Sequence, residues 1–173
     1  MLSIFDLFKI GIGPSSSHTI GPMLAGRGFA LSLQQQDLLA ATVRVQVELF
    51  GSLALTGEGH GTVGAVLAGL EGACPDTVEP AHVQTRCAEL TAGADLRLLG
   101  QQAVTFDLVR DVLAHKGIFL PRHPNALTVS ALDSQGMTLF SQTYYSIGGG
   151  FICTEEEFDS PRAAPHADRK SVV

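Results

Sequence analysis

Cysteine is scarce in this chain, which has only three in 173 residues: Cys74, Cys87 and Cys153. The number is odd and the spacing is wide, which argues against the disulfide framework of a small secreted domain. No CxxC-type motif for a metal or a cluster is formed either. We therefore expect reduced thiols that behave as small apolar residues, and a cytoplasmic protein.

Basic runs and long apolar runs are also missing. The net charge of -6 comes without a cluster of Lys and Arg, which argues against nucleic acid or an anionic membrane as a partner. No apolar stretch is long enough to span a bilayer. Residues 1–9 lack the basic leader and the uninterrupted apolar core of a signal peptide. A small molecule is the partner class that remains.

Hydrophobic residues make up 45% of the chain, enough for one sizeable core, so we expect one domain followed by a tail. The order of patterns is neither a βαβ series nor all-β. It predicts an α+β domain whose helices pack on a small mixed or antiparallel sheet. Helices are expected at 4–9, from about 23 to 36, at 63–70 and at 80–94, and strands at 42–50, 103–109, 126–132 and 137–145.

A hydroxyl-rich segment at the start of the second predicted helix is the first candidate site. It follows two glycines and a proline and consists of Ser15, Ser16, Ser17, His18 and Thr19. The first N–H groups of a helix lack internal partners and carry the positive end of its dipole, so this segment suits a carboxylate or phosphate. Serines before a helix serve equally well as a cap and a solvated turn. It is not a Walker P-loop, because no Lys follows the last glycine.

Three of the six histidines lie in Gly- or Pro-rich loops: His18, His60 and His123. None is paired at a helical ligand spacing, which disfavours a zinc site. His60 is the candidate base, because glycines on both sides leave room for a substrate. Glu58 would orient the ring or raise its basicity if it folds back. A histidine in an ordinary turn is the alternative. No G-x-S-x-G elbow supports a Ser-His-Asp triad.

Four stretches carry a family resemblance: SIFDLFKIGIGPSSSHTIGPM at 3–23, GSLALTG at 51–57 followed by Gly59 and His60, Leu120-Pro121 with His123, and TYYSIGGGFI at 143–152. They resemble the N-terminal, or beta, portion of bacterial iron–sulfur L-serine dehydratase. The resemblance implies a beta domain at residues 1–153. It also implies a linker at 154–173 toward a catalytic alpha domain that this sequence does not contain.

The resemblance implies deamination of L-serine to pyruvate and ammonia without pyridoxal phosphate. A 4Fe-4S cluster held by the alpha domain would act as the Lewis acid, with no metal bound by this chain, and a homodimer is expected. His60 would be the base. The substrate cleft would be lined by Ser15, Ser16, Ser17, His18, Thr19, His123, Asn125 and Ser146.

One departure and one alternative stay open. Residues 61–64, Gly-Thr-Val-Gly, are smaller and less polar than is usual in this family, which leaves secondary contacts in question. The beta domain also resembles the small ligand-binding regulatory domain of some phosphoglycerate dehydrogenases. That likeness implies a different class of function, a non-catalytic module that senses serine or drives oligomerisation.

Overall fold

The computed structural model describes residues 16–159, and for residues 57–60 it describes the backbone only. The predicted helix at 4–9 and the candidate residue Ser15 lie outside this range. Within it, no helix is both long enough and apolar enough to cross a membrane.

The helices and strands follow one another along the chain without a repeating unit. In order they are α1 Ile20–Gln35, β1 Arg44–Phe50, α2 Gly51–His60, α3 Thr62–Leu70, α4 Pro80–Thr91, β2 Leu96–Leu98, β3 Gln102–Val104, α5 Leu108–Asp111, β4 Val112–His115, β5 Asn125–Leu132, β6 Thr138–Gly148, β7 Phe151–Thr154 and α6 Glu155–Asp159.

The larger sheet has five strands in the order β4-β1-β5-β6-β7. Strand β1 pairs in parallel with β4 and antiparallel with β5, so the sheet is mixed. Strands β2 and β3 form a separate antiparallel pair. The prediction of an α+β domain with helices packed on a small mixed sheet is confirmed.

Alternation along β1 places the core on one side of the larger sheet. Val45, Val47 and Leu49 are buried there, together with Phe29 of α1 and Leu67 of α3. Residues that alternate with them along β1 are only half-buried. The alternating pattern at 42–50 predicted a strand with one buried face, and this is confirmed.

Helices α1 and α3 pack closely because two glycines remove side chains from their contact. A Cβ added at Gly26 would lie 2.3 Å from the carbonyl oxygen of Val66, and one added at Gly69 would lie 2.0 Å from that of Met23. Both distances are far below a van der Waals contact. The glycines therefore set how near α1 comes to α3, and with it where the first turn of α1 lies.

The strands predicted at 126–132 and 137–145 are confirmed, and they form a hairpin. Strands β5 and β6 pair antiparallel, from Ala126 opposite Tyr145 to Leu132 opposite Thr138. Asp133 closes the turn between them: its carboxylate accepts hydrogen bonds from the N–H groups of Gln135 and Met137. This is the local bonding by which Asp favours turns.

The strand predicted at 103–109 is wrong beyond Val104, because residues Leu108–Asp111 form α5. Asp107 caps this helix by accepting hydrogen bonds from the N–H groups of Val109 and Arg110, both at 2.9 Å. Asp111 is fully buried and accepts a hydrogen bond from Arg44 at 2.6 Å. The hydrogen bonds of Asp107 with backbone N–H groups and of Asp111 with Arg44 of β1 therefore override the alternating pattern.

The glycine-rich loop predicted around His60 is also wrong. Helix α2 begins where β1 ends and continues through His60, and α3 begins at Thr62. Only Gly61 separates the two helices, and its φ of 68° is left-handed. Helix propensity is a weak preference, and the burial of Leu53 and Ala54 in α2 outweighs the cost of Gly57 and Gly59.

At the C-terminal end, Thr154 closes β7 and the next five residues form α6. Phe158 of this helix meets the ring of Tyr145 edge-on, with centroids 5.1 Å apart. The described chain thus continues as folded structure past the predicted boundary at 154. A linker remains a prediction for residues beyond Asp159.

Candidate functional site

The segment Ser16–Thr19 is a turn that leads into α1, as predicted. The N–H of Gly21 donates to the carbonyl oxygen of Ser16 at 3.0 Å, and Pro22 has no N–H. These two positions of the first helical turn thus offer no donor to a ligand. An anion bound here would depend more on the helix dipole and on nearby hydroxyls than on a row of N–H groups.

His18 is the centre of the hydrogen bonds around this turn and is only 9% exposed. Its Nδ1 lies 2.9 Å from Oγ of Ser17, and its Nε2 lies 3.1 Å from Oγ of Ser52 at the start of α2. Its carbonyl oxygen accepts a hydrogen bond of 2.7 Å from the hydroxyl of Thr62, the first residue of α3. His18 therefore joins the starts of three helices.

Ser146 of β6 is fully buried beside the same turn. Its hydroxyl donates to the carbonyl oxygen of Ser17 at 2.7 Å. A Cβ added at Gly21 would lie 2.0 Å from the Oγ of Ser146, so only glycine permits this approach. The side-chain amide of Asn125 donates to the carbonyl oxygen of Ser146 at 3.3 Å.

His123 lies on the loop that leads into β5. Its Nδ1 accepts a hydrogen bond of 3.1 Å from the N–H of Asn125. Burial lowers the pKa of His123 below its usual value, so the ring is neutral at pH 7. The carbonyl oxygen of the next residue, Pro124, accepts a 2.8 Å hydrogen bond from the N–H of Ser52. This bond attaches the loop to the same end of α2 that His18 contacts.

These hydrogen bonds unite residues from distant parts of the chain into one group, here called the polar cluster. Its members are Ser17, His18, Ser52, Thr62, His123, Asn125 and Ser146. Five of them were predicted as site residues. Ser52 and Thr62 were missed. Their sequence context could have indicated them, because Ser52 lies in the GSLALTG motif and Thr62 directly follows Gly61.

His60 is the last residue of α2, and its side chain is not among those described. The left-handed Gly61 follows it, and Thr62 then bonds to His18. The backbone of His60 is thus two residues away from a member of the polar cluster. Its position at a helix end replaces the predicted glycine-flanked loop, and its role as base stays a prediction.

The described residues do not fit an iron–sulfur cluster. Cys74 and Cys87 are half-buried free thiols and Cys153 is a buried one. Burial raises the pKa of Cys153, which disfavours the thiolate that a metal requires. Between residues 16 and 159, side chains of 57–60 aside, no three or more His, Cys, Asp or Glu are placed to hold a metal ion.

A cavity of about 390 Å³ lies beside α1, away from the polar cluster. Leu24 and Arg27 of α1, Tyr144 of β6, Ile152 of β7 and Glu157 of α6 are among its lining residues. No member of the polar cluster lines it. The cluster and the cavity are therefore two separate features of the domain.

Comparison with known proteins points to serine dehydratases. The family model of the serine dehydratase beta chain matches residues 3–157. An L-serine dehydratase of Mycobacterium tuberculosis is 48% identical over 155 residues, covering 90% of this chain and 33% of the relative. One from Streptomyces coelicolor is 45% identical over 161 residues, covering 93% of this chain and 35% of the relative.

L-serine dehydratase 2 of Escherichia coli is 45% identical over 166 residues, covering 95% of this chain and 36% of that protein. The chain thus spans about a third of the length of the curated relatives that it matches. The family match extends over nearly all of the described domain, including every member of the polar cluster. The chain belongs to the serine dehydratase beta chain family.

Proposed function

We propose that this chain is the beta-domain part of an L-serine ammonia-lyase, which converts L-serine to pyruvate and ammonia. Relatives at this level of identity are named L-serine dehydratases. The observation that carries the proposal is the polar cluster. His18 and the buried Ser146 lie at the start of α1, and His123 is linked to Ser146 through Asn125. Such convergence of polar groups at a helix start suits a small carboxylate substrate.

The substrate carboxylate binds at the start of α1 in this proposal. The dipole of a helix of 16 residues favours an anion there, and the hydroxyls of Ser15, Ser16, Ser17 and Thr19 supply donors. His18 holds this turn in place through Ser17 and Ser52. His123, Asn125 and Ser146 bind the remainder of the substrate, and the neutral ring of His123 does so without adding charge.

His60 removes the α-proton of L-serine in this proposal. Imidazole is suited to that step, because in its neutral form it accepts a proton near physiological pH. Loss of the α-proton and of the β-hydroxyl yields aminoacrylate, which tautomerises to an imine and hydrolyses to pyruvate and ammonia. Pyridoxal phosphate has no part in the reaction.

A 4Fe-4S cluster would be held by an alpha domain outside this sequence, and it would supply Lewis-acid chemistry for the loss of the hydroxyl. The contribution of this chain is therefore substrate binding and proton removal. The alpha domain is its proposed partner, and the assembly is proposed to be a homodimer.

The test is the His60→Ala change in the holoenzyme, that is, this chain together with its alpha domain. Loss of a general base lowers kcat by roughly 10²- to 10⁴-fold. The visible absorbance of the cluster should be unchanged, which separates a lost base from a lost cofactor. His82→Ala is the matched control, because His82 is exposed on α4.

Near-normal turnover of His60→Ala would favour the second candidate function, a non-catalytic module that senses serine or drives oligomerisation. The likeness to the regulatory domain of phosphoglycerate dehydrogenases belongs to this candidate. One observation is in keeping with it: both ring nitrogens of His18 lie within hydrogen-bond distance of serine hydroxyls of the protein. That arrangement suits holding the turn in place better than transferring a substrate proton.

A further inference from the structure

His123 and Ser146 of the polar cluster each follow a residue that bonds to Glu155. Arg122 precedes His123, and Tyr145 precedes Ser146. Nε of Arg122 donates to Oε1 of Glu155 at 3.3 Å, and the hydroxyl of Tyr145 donates to Oε2 of the same carboxylate. Glu155, the first residue of α6, thus connects the loop that carries His123 to the strand that carries Ser146.

Two further contacts of α6 strengthen this connection. Nη2 of Arg122 donates to the carboxylate of Asp159 one turn further along the helix. Phe158 packs edge-on against the ring of Tyr145 at an interplanar angle of 89°. Helix α6 therefore contacts Arg122 through two carboxylates, and it contacts Tyr145 through one carboxylate and one aromatic ring.

Glu155 makes two contacts, one with Tyr145, here called the tyrosine arm, and one with Arg122. The two differ in how exposed they are to water. Tyr145 is 1% exposed, whereas the side chains of Arg122 and Glu155 are 37% and 44% exposed. An ion pair in contact with water contributes little by itself. A hydrogen bond between a buried hydroxyl and a carboxylate is stronger, because an ionised acceptor shortens and strengthens it. The tyrosine arm is therefore expected to be the firmer one.

Both partners of the tyrosine arm keep the protonation states that this hydrogen bond needs at neutral pH. The hydrogen bond from Tyr145 lowers the pKa of Glu155 below its usual range, so Glu155 is a carboxylate. Burial, together with the contact to Glu155, raises the pKa of Tyr145 to about 12, so its hydroxyl is a donor.

We propose that Glu155 is a positioning residue for the polar cluster: by bonding to Arg122 and Tyr145 it fixes where His123 and Ser146 lie. The function of these two residues as substrate contacts rests on the proposed function above. The structural part of the inference, that Glu155 holds the loop in the position where His123 is half-buried, stands without it.

The structural part is tested on the full 173-residue chain by NMR. The imidazole of His123 is titrated and the hydrogen exchange of the Asn125 N–H is followed, since this group donates to the ring. Glu155→Ala should expose His123, so its pKa rises toward 6.5 and exchange at Asn125 accelerates at least tenfold. Glu155→Gln retains an acceptor for Tyr145 and should show a smaller change.

Glu156→Ala is the matched control, because Glu156 lies on the same helix and is exposed. If Glu155→Ala behaves as this control does, the proposal is overturned. Should Glu155→Ala fail to fold, Arg122→Gln takes its place, because Arg122 lies in an exposed part of the loop. Asn125 exchange and His123 titration equal to wild type in a folded Arg122→Gln, together with the same result for Tyr145→Phe, would also overturn it.

In the holoenzyme, Glu155→Ala should raise KM for L-serine severalfold while kcat falls less, because a misplaced binding group weakens the substrate complex first. A changed NMR signature with an unchanged KM supports the positioning role. In that case it is the assignment of His123 and Ser146 to substrate binding that fails.

Discussion

At the scale of single residues, the polar cluster depends on positions where no side chain fits. Gly21 is one such position, because the Oγ of Ser146 occupies the space a Cβ would need. Ser146 in turn donates to the carbonyl oxygen of Ser17, which precedes His18. The lack of a side chain at Gly21 thus allows Ser146 of β6 to contact the turn that precedes α1.

Gly21→Ala is predicted to displace Ser146. Overpacking of this kind costs about 1–3 kcal/mol of folding free energy. If Ser146 contacts the substrate, KM for L-serine in the holoenzyme should rise by roughly tenfold, equivalent to about 1.4 kcal/mol. Steady-state kinetics measures the KM, and urea unfolding measures the stability.

Gly28→Ala is the control for Gly21→Ala. It lies on the same helix, and an added Cβ would meet its nearest atom, the hydroxyl oxygen of Tyr144, at an ordinary 3.9 Å. We expect wild-type KM for this variant. Equal effects of the two substitutions would mean that the contact between Gly21 and Ser146 has no special importance.

At the scale of elements, the distance between α1 and α3 determines whether His18 and Thr62 of the polar cluster lie within hydrogen-bond distance. His18 precedes α1, and Thr62 begins α3 and bonds to His18. The same two helices are in close contact further along, at Gly26 and Gly69. A change in the distance between α1 and α3 at Gly69 would therefore also displace the residues of the polar cluster at the starts of these helices.

Gly69→Ala is predicted to destabilise the chain. The added Cβ would lie 2.0 Å from the carbonyl oxygen of Met23 and 2.9 Å from the N atom of Arg27, so the helices must separate. We expect a loss of about 1–3 kcal/mol in urea unfolding.

Gly64→Ala, in the same helix, meets only ordinary contacts at 3.6 Å with Cys87 and Val83. It is expected to be neutral or to stabilise the chain by up to about 1 kcal/mol, since Ala is the better helix former. A Gly69→Ala chain as stable as this control would contradict close helix packing as the reason for glycine.

At the scale of the whole molecule, the chain contributes only part of the proposed reaction. The polar cluster, where the substrate is proposed to bind, lies at the starts of three helices and at the ends of β5 and β6. The described residues include no set of metal ligands. The family relatives are about three times as long. Turnover is therefore expected only when the alpha domain is present.

The purified 173-residue chain is predicted to form no pyruvate from L-serine. The measurement is the coupled oxidation of NADH by lactate dehydrogenase, with the holoenzyme at equal concentration as the positive control. Pyruvate formation above the blank by the chain alone would show that the hydroxyl leaves without the alpha domain, and the division of labour proposed here would be wrong.

Much of the fold was predictable because local patterns and burial agree. The alternation at β1, the Pro80 start of α4 and the Asp-Ser-Gln-Gly turn between β5 and β6 each specify one local structure. Helix α2 was not predictable, because two glycines near its end favour a loop locally. Helix α5 was missed because its cap at Asp107 and the buried Asp111 act through hydrogen bonds that period alone does not reveal.

By itself the sequence determined the class of the fold, the family and five members of the polar cluster, because these depend on local periodicity and on contiguous motifs. Only the tertiary structure decided that Ser52 and Thr62 belong with them and that His60 ends a helix. It also decided that Glu155 holds the neighbours of His123 and Ser146. Those facts depend on contacts between residues far apart in the chain, and such contacts exist only once the helices have packed on the sheet.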